Sequence, residues 1–371
     1  MSSPFKWLAF LLYAGIVYST AAHAMPPGSM PPSSPAFSAD APYGTAAAPP
    51  PVSPIRPEGY LGWQEAYRLN NGQAEAVLVP AIGRLVHFAP LDGASPFRLE
   101  SSLHGQMPPD GDPFFNIGGD WLWPVSQARW ASFSENGRDW PPPDILADLP
   151  WTCSAWTDAL GAKCALLSRE YGAPLHINVT RLFRLEPAST HLVIRQRIER
   201  LATSDIPVVL WNISQLAQTE HVVLPVDLDS RFEGGLKVLM GEPPDAESLL
   251  SCGDAKVYRI RPGAETKLGS DSSRSWIAAA RETQLIFETA SCTGAIGEYP
   301  DGGCVVELYS NEGLGYSEIE TLSPEVNLPP GTVLENTLRI QLVQTPLSLP
   351  DCGLADQVRA LAGETVPVPA Q

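Results

Sequence analysis

Residues 191–200 alternate with a period of two. Leu192, Ile194 and Ile198 fall on one side, and Val193, Arg195, Arg197 and Glu199 on the other. That pattern is a strand with one apolar face and one mostly polar face. Short runs with strand character recur at 75–79, 84–88, 208–213, 276–280, 284–289, 305–309 and 337–343, punctuated by Gly, Pro, Asn and Asp. Long amphipathic helical stretches are scarce, and 354–363 is patterned as a short terminal helix. There is no strand–helix alternation and no fixed-period repeat, which disfavours a parallel sheet or a propeller. The pattern predicts an all-β chain, a large antiparallel sandwich spanning 59–346 as one domain, with a tail at 347–371.

Both ends of the pattern differ from its middle. Lys6 precedes an apolar run at 7–18 that is too short to span a bilayer, followed by Ala22-His23-Ala24. This predicts a signal peptide over 1–24, cut after Ala24, with no membrane anchor afterwards and a periplasmic or secreted location. Residues 25–58 hold eleven prolines and few large apolar side chains. Such a segment buries too little surface to offset ordering and is predicted to be a disordered tether.

The formal charge is −17. A surface this acidic repels phosphate backbones, which disfavours nucleic-acid binding, so no nucleic-acid partner is predicted and neutral or cationic small partners are favoured. All six cysteines lie beyond the signal, without a C-x-x-C pair or a neighbouring histidine cluster, so disulfides are predicted over zinc. Spacing suggests local bridges Cys153–Cys164 and Cys292–Cys304, leaving Cys252 with Cys352.

Two stretches could carry chemistry. Gly118-Gly119-Asp120-Trp121-Leu122-Trp123-Pro124, with Trp130 and Trp140, places four tryptophans within twenty residues of a loop-rich segment. Rings so costly to expose either pack in a core or line a cleft, where sugar C–H faces stack on them and Asp, Asn or Gln binds the hydroxyls. In the second stretch, Tyr316, Glu318 and Glu320 share one strand face, as do Glu307 and Tyr309 upstream. Paired acids on one face suit acid/base work, cation binding or hydroxyl binding, and equally a solvated sheet face. No nucleophile elbow, zincin motif or P-loop is present. No metal or cofactor site is predicted, apart from a Ca²⁺ contribution from Asp227 and Asp229.

The segment 79–85, Val-Pro-Ala-Ile-Gly-Arg-Leu, resembles the early strand of the galactose mutarotase-like (aldose 1-epimerase) superfamily, and 320–324 with 328–331 resembles its C-terminal pattern. Gly62-Trp63, the 119–124 segment, Trp140-Pro141-Pro142, Trp211-Asn212-Ile213, Lys267-Leu268-Gly269 and 299–303 follow the order of motifs in the uncharacterised bacterial DUF4380 family of that superfamily. The resemblance implies a β-supersandwich whose polar concave face holds a sugar, with Arg84 as a ligand contact and Glu320 as the base. Asp120, Trp121, Trp123, Asn212, Lys267 and Glu318 complete the implied pocket. The superfamily's catalytic histidine has no counterpart in Trp211-Asn212-Ile213-Ser214-Gln215, and Asn or Gln cannot exchange a proton near neutrality. His221 or Lys267 are the candidate substitutes. Three functions follow as expectations: a carbohydrate-binding protein, a carbohydrate-active enzyme (epimerase, lyase or hydrolase) using Glu320 with a partner other than histidine, or a structural sandwich without a small ligand.

Overall fold

The computed structural model describes residues 53–108, 115–217, 219–261, 263–292, 297–344 and 351–364. The expected signal peptide at 1–24 lies outside them. Strands are numbered in chain order. One antiparallel sheet runs, edge to edge, β1 (Ser53–Pro54), β7 (Thr152–Thr157), β8 (Lys163–Tyr171), β9 (Ile177–Leu185), β10 (His191–Arg200), β21 (Val333–Gln344), β18 (Gln284–Cys292), β17 (Trp276–Arg281), β12 (His221–Pro225), β15 (Ala255–Arg259) and β14 (Leu249–Ser251). The second runs β13 (Lys237–Met240), β16 (Glu265–Ser270), β19 (Val306–Asn311), β20 (Tyr316–Leu322), β11 (Trp211–Ala217), β6 (Gly119–Trp123), β5 (Arg84–Pro90), β4 (Ala74–Val79), β3 (Trp63–Asn70) and β2 (Glu58–Tyr60). The predicted antiparallel sandwich is therefore present.

Alternation decides what lies between the sheets. Val179, Phe183, Leu192, Ile194, Ile198, Leu338 and Ile340 from the first sheet join Leu78, Leu85, Leu122, Leu216, Leu268, Leu308 and Ile319 from the second in one buried cluster. Interleaved with this apolar layer is a buried polar network. Arg181 on β9 pairs with Asp120 on β6, both fully buried. Asn212 donates to Asp120 at 2.6 Å and accepts from Arg181 at 3.0 Å and Gln196 at 2.6 Å. The Ser214 hydroxyl lies 3.1 Å from Asp120 and 2.6 Å from Glu288 on β18.

One hydroxyl proton cannot serve two carboxylates. Burial, reinforced by the charge of Asp120, pushes the Glu288 carboxyl up to about 8. Protonated, it donates to Ser214, which donates on to Asp120. The folded state thus holds a proton that the unfolded chain releases near the ordinary Glu value. The associated stability is complete in acid and is lost as pH rises towards about 8. Glu288→Gln is neutral at every pH, so its melting temperature relative to the parent should climb between about pH 5 and pH 8. A difference constant across that range would show that Glu288 is ionised throughout.

Three expectations need correction. Cys153 and Cys164 are free. In the β7–β8 ladder Cys153 faces Leu167 and Cys164 faces Trp156, an odd offset that turns the two side chains to opposite faces. Cys292 and Cys304 are also free: Cys292 ends β18 in the first sheet, whereas Cys304 is fully buried just before β19 in the second. Within the expected tether, Ser53, Pro54 and Glu58 are strand residues, paired with Thr157, Trp156 and Ala66, and 25–52 lie outside the described residues.

The Cys252–Cys352 bond is formed. It ties the helix Cys352–Ala362 to the outer side of the first sheet, where Leu354, Ala355 and Val358 pack with Val223, Val257, Trp276 and Phe287. Asp351 caps the helix start and Gly363, with φ 75°, ends it. Arg359 reaches back to the Cys252 carbonyl and to Asp254. Among the described residues no helix is long and apolar enough to cross a membrane.

Candidate functional site

The outer face of the second sheet carries most of the polar groups singled out above. Register puts them on two neighbouring rungs. One reads Gly119, Gln215, Glu318, Tyr309, Lys267 across β6, β11, β20, β19 and β16. The next reads Trp121, Ile213, Glu320, Glu307, Gly269. Trp123 faces Trp211 one rung further on.

Local backbone fixes the two ends. The turn Pro80–Ile82 closes on Gly83, whose φ of 66° suits glycine, and a Cβ there would lie 2.1 Å from the Trp151 indole nitrogen. Arg84 follows with its side chain on the outer face. Gly119, at φ 84°, lets β6 approach β5, since a Cβ would meet the Leu85 carbonyl at 2.6 Å.

Glu320 is buried. Its Oε2 accepts from the Trp211 indole N–H at 2.7 Å and lies 3.3 Å from Lys267 Nζ. Lys267 also pairs with Glu307 at 2.8 Å and sits 4.8 Å from the Trp211 ring centre. Burial opposes the lysine charge, but Glu307 and Glu320 outweigh it and hold the ammonium protonated well above its usual range. Burial raises the Glu307 carboxyl strongly, against the pull of Lys267. Glu318 is only partly buried and accepts from Gln215 Nε2 at 2.7 Å. Burial and then the Glu320 charge push it up to about 7, with Gln215, Lys267 and Arg84 opposing. Glu318 is therefore the carboxyl on this face poised to gain or lose a proton near neutrality.

Arg84, Trp121, Trp123, Lys267, Glu318 and Glu320 are thus brought to one face. Asp120 and Asn212 are not: β6 and β11 alternate, so both point into the intersheet network. Arg84 is engaged by Asp148 at 2.7 Å and the Gly118 carbonyl at 2.9 Å, and lies over the Trp121 ring at 4.1 Å. The expected loop around the tryptophans is in part strand β6. Trp123 lies 6.1 Å from Trp121, 6.0 Å from Trp211 and 4.8 Å from Trp130, and Trp130 stacks on exposed Trp140 at 6.1 Å. Most of these rings pack against each other; Trp123 is half-buried and Trp140 is exposed.

Asn116, Arg98 and Asp148 also support this face, and sequence reasoning passed them over. Trp211 and Gln215 stood in the segment compared with the superfamily, but Asn212 was chosen from it, and Asn212 alternates to the opposite face. Nothing near Asp148 marks it as the partner of Arg84. His221 lies on β12 in the other sheet, apart from this face. Asp227 binds the Ser273 N–H at 2.6 Å, Ser272 at 2.8 Å and Arg274 at 3.1 Å. Among the described residues no group of three or more His, Cys, Asp or Glu side chains could hold a metal ion.

The fold is shared with galactose mutarotase-like proteins of known structure. A candidate mutarotase, YeaD of Salmonella typhimurium, superposes with a TM-score of 0.50 at 10% identity, over 79% of this chain and 97% of its own. A TPR-domain containing protein from Parabacteroides distasonis gives 0.54 at 12% identity, over 86% of this chain and 55% of its own. A galactose mutarotase-like protein from Clostridium acetobutylicum gives 0.49 at 10% identity, over 78% and 98%. At such identities the likeness is one of fold. No protein-family model matches the chain, so DUF4380 membership gains no support. No curated protein matches it.

Proposed function

We propose that the chain binds carbohydrate on the outer face of its ten-stranded sheet. The observation that carries this reading is the pair of polar rungs: Gln215, Glu318, Tyr309 and Lys267 beside Glu320 and Glu307, flanked by the half-buried ring of Trp123. Acceptors and donors for hydroxyls thus adjoin a ring for a sugar's C–H face. The fold shared with a candidate mutarotase supports a sugar as the ligand class. The Cys252–Cys352 bond suits an oxidising compartment, in line with an export signal at 1–24 and a proline-rich tether preceding the sheets. Nearness to the DUF4380 family rests on the order of motifs in the sequence alone.

A second reading is catalysis, favoured by a carboxyl titrating near 7 at Glu318. Glu320, tied to Trp211 and Lys267, is less free to act as the base than Glu318. A glycan array, followed by titration calorimetry and by NMR of anomeric exchange, tests both. With a sugar found, Glu320→Gln should weaken binding by about 1–3 kcal/mol through a lost charged hydrogen bond. Glu318→Gln should slow any proton-transfer reaction about 10²–10⁴-fold. Sugar binding indifferent to both substitutions would move the site elsewhere, and failure of every sugar on the array would favour a structural role.

A further inference from the structure

We infer that the preferred ligand on this face is a sugar carrying a protonated amine, seated beside Glu318, and that phosphorylated and acidic sugars are rejected. This rests on the carbohydrate reading and narrows it. Three carboxyl groups, Glu307, Glu318 and Glu320, share the two rungs with Lys267, and Lys237 on β13 ends the second rung beyond Gly269, donating to the Asp301 carbonyl at 2.6 Å. Lys267 is held between Glu307 and Glu320. Arg84 is held by Asp148, and Arg98 by Glu100 at 2.9 Å and by Gln215 at 2.9 Å. The hydrogen bond to Glu318 comes from the neutral amide of Gln215. Lys267, Arg84 and Arg98 are therefore engaged by other carboxylates and Lys237 by a backbone carbonyl, while Glu318, the most accessible acid of the two rungs, is answered by an amide.

A second, independent feature also points to a ligand. The Trp121 indole N–H is buried, yet it has no hydrogen-bond acceptor. Trp121 lies on the same rung as Glu320. A buried donor without a partner is costly unless a bound molecule supplies an acceptor. An amino sugar offers both missing groups: an ammonium for Glu318 and hydroxyl oxygens for Trp121. A charge-assisted bond to the ammonium is about twice as strong as a neutral one. A sugar phosphate would instead meet the Glu318 carboxylate, on a chain with a formal charge of −17 that repels it at long range.

Titratable or charged groups surround Glu318 on several elements: Tyr316 and Glu320 on its own strand, Tyr309 and Glu307 on β19, Lys267 and Glu265 on β16, Lys237 on β13, Arg84 on β5 and Arg98 ahead of β6. Asp148 stands behind Arg84, and Asp301 beside Lys267. β11 and β6 present Gln215, Trp211 and Trp121, which carry no charge. Acidification should therefore protonate Glu318 first among the accessible acids and weaken the hold on an ammonium.

Calorimetry on the full chain tests this with hexosamines, the parent hexoses and hexose 6-phosphates, at about pH 7.5 and about pH 5.5. The amine should bind roughly tenfold or more tightly than its parent hexose at the higher pH, a step of one charged hydrogen bond, with the phosphate weakest. That preference should shrink at the lower pH, although the amine is then more fully charged. Glu318→Gln should bring the amine-to-hexose ratio close to one. If that variant fails to fold, the pH series on the parent protein decides. A ratio near one in the parent protein, or tighter phosphate binding, overturns the amine inference while leaving the carbohydrate reading intact. No binding by any sugar, here and on the array, removes both.

Discussion

Arg181→Leu should lose about 3–5 kcal/mol of stability, because it strands a buried carboxylate. Arg181 and Asp120 are both fully buried between the sheets, and Asn212 and Ser214 complete the Asp120 shell with neutral groups. Removing the cation leaves a desolvated charge that those neutral groups cannot balance. Urea denaturation should show the midpoint falling with little change in slope. The double variant Arg181→Leu/Asp120→Leu should recover part of the loss, since replacing both partners removes the unpaired charge. A single variant as stable as the parent protein would mean that water or a proton reaches Asp120.

The second large effect is expected from Cys252→Ser or Cys352→Ser. The bond closes a loop with a sequence separation of 100, and its removal should cost about 2–5 kcal/mol. Helix Cys352–Ala362 should then dissociate more readily from the patch formed by Val223, Val257, Trp276 and Phe287. Limited proteolysis should release a C-terminal peptide from the variant or the reduced protein before the rest of the chain is cut. Reduction with no change in either melting temperature or cleavage pattern would show that the helix is held by Arg359 and Asp254 without help from the bond.

Strand positions were legible where alternation was clean. The 191–200 period became β10, with Leu192, Ile194 and Ile198 inside as expected. The Glu318–Glu320 face was legible for the same reason. What alternation could not show is which of two buried faces a residue joins. In β6 and β11 both faces are buried, so Asp120 looked like a sugar contact when it is the anchor of the intersheet network. The short cysteine loops misled because linear spacing ignores register and sheet membership. Only the long-range pair, Cys252 and Cys352, proved to be bonded. Asp148 was invisible because its pairing with Arg84 spans 64 residues and depends on how a loop lies over β5.

The placement of β21 bears on how the molecule is made. It lies between β10 and β18, so the last strand described joins two half-sheets built from everything before it. During synthesis β10 and β18 therefore both carry unpaired edges until Val333–Gln344 is available. Completing this sheet must wait for Val333–Gln344, and contacts of this sequence separation close slowly. A ribosome stalled before Val333 would yield a chain with two sticky edges rather than a smaller working domain. That lateness suits a protein proposed to leave the cell interior before it folds.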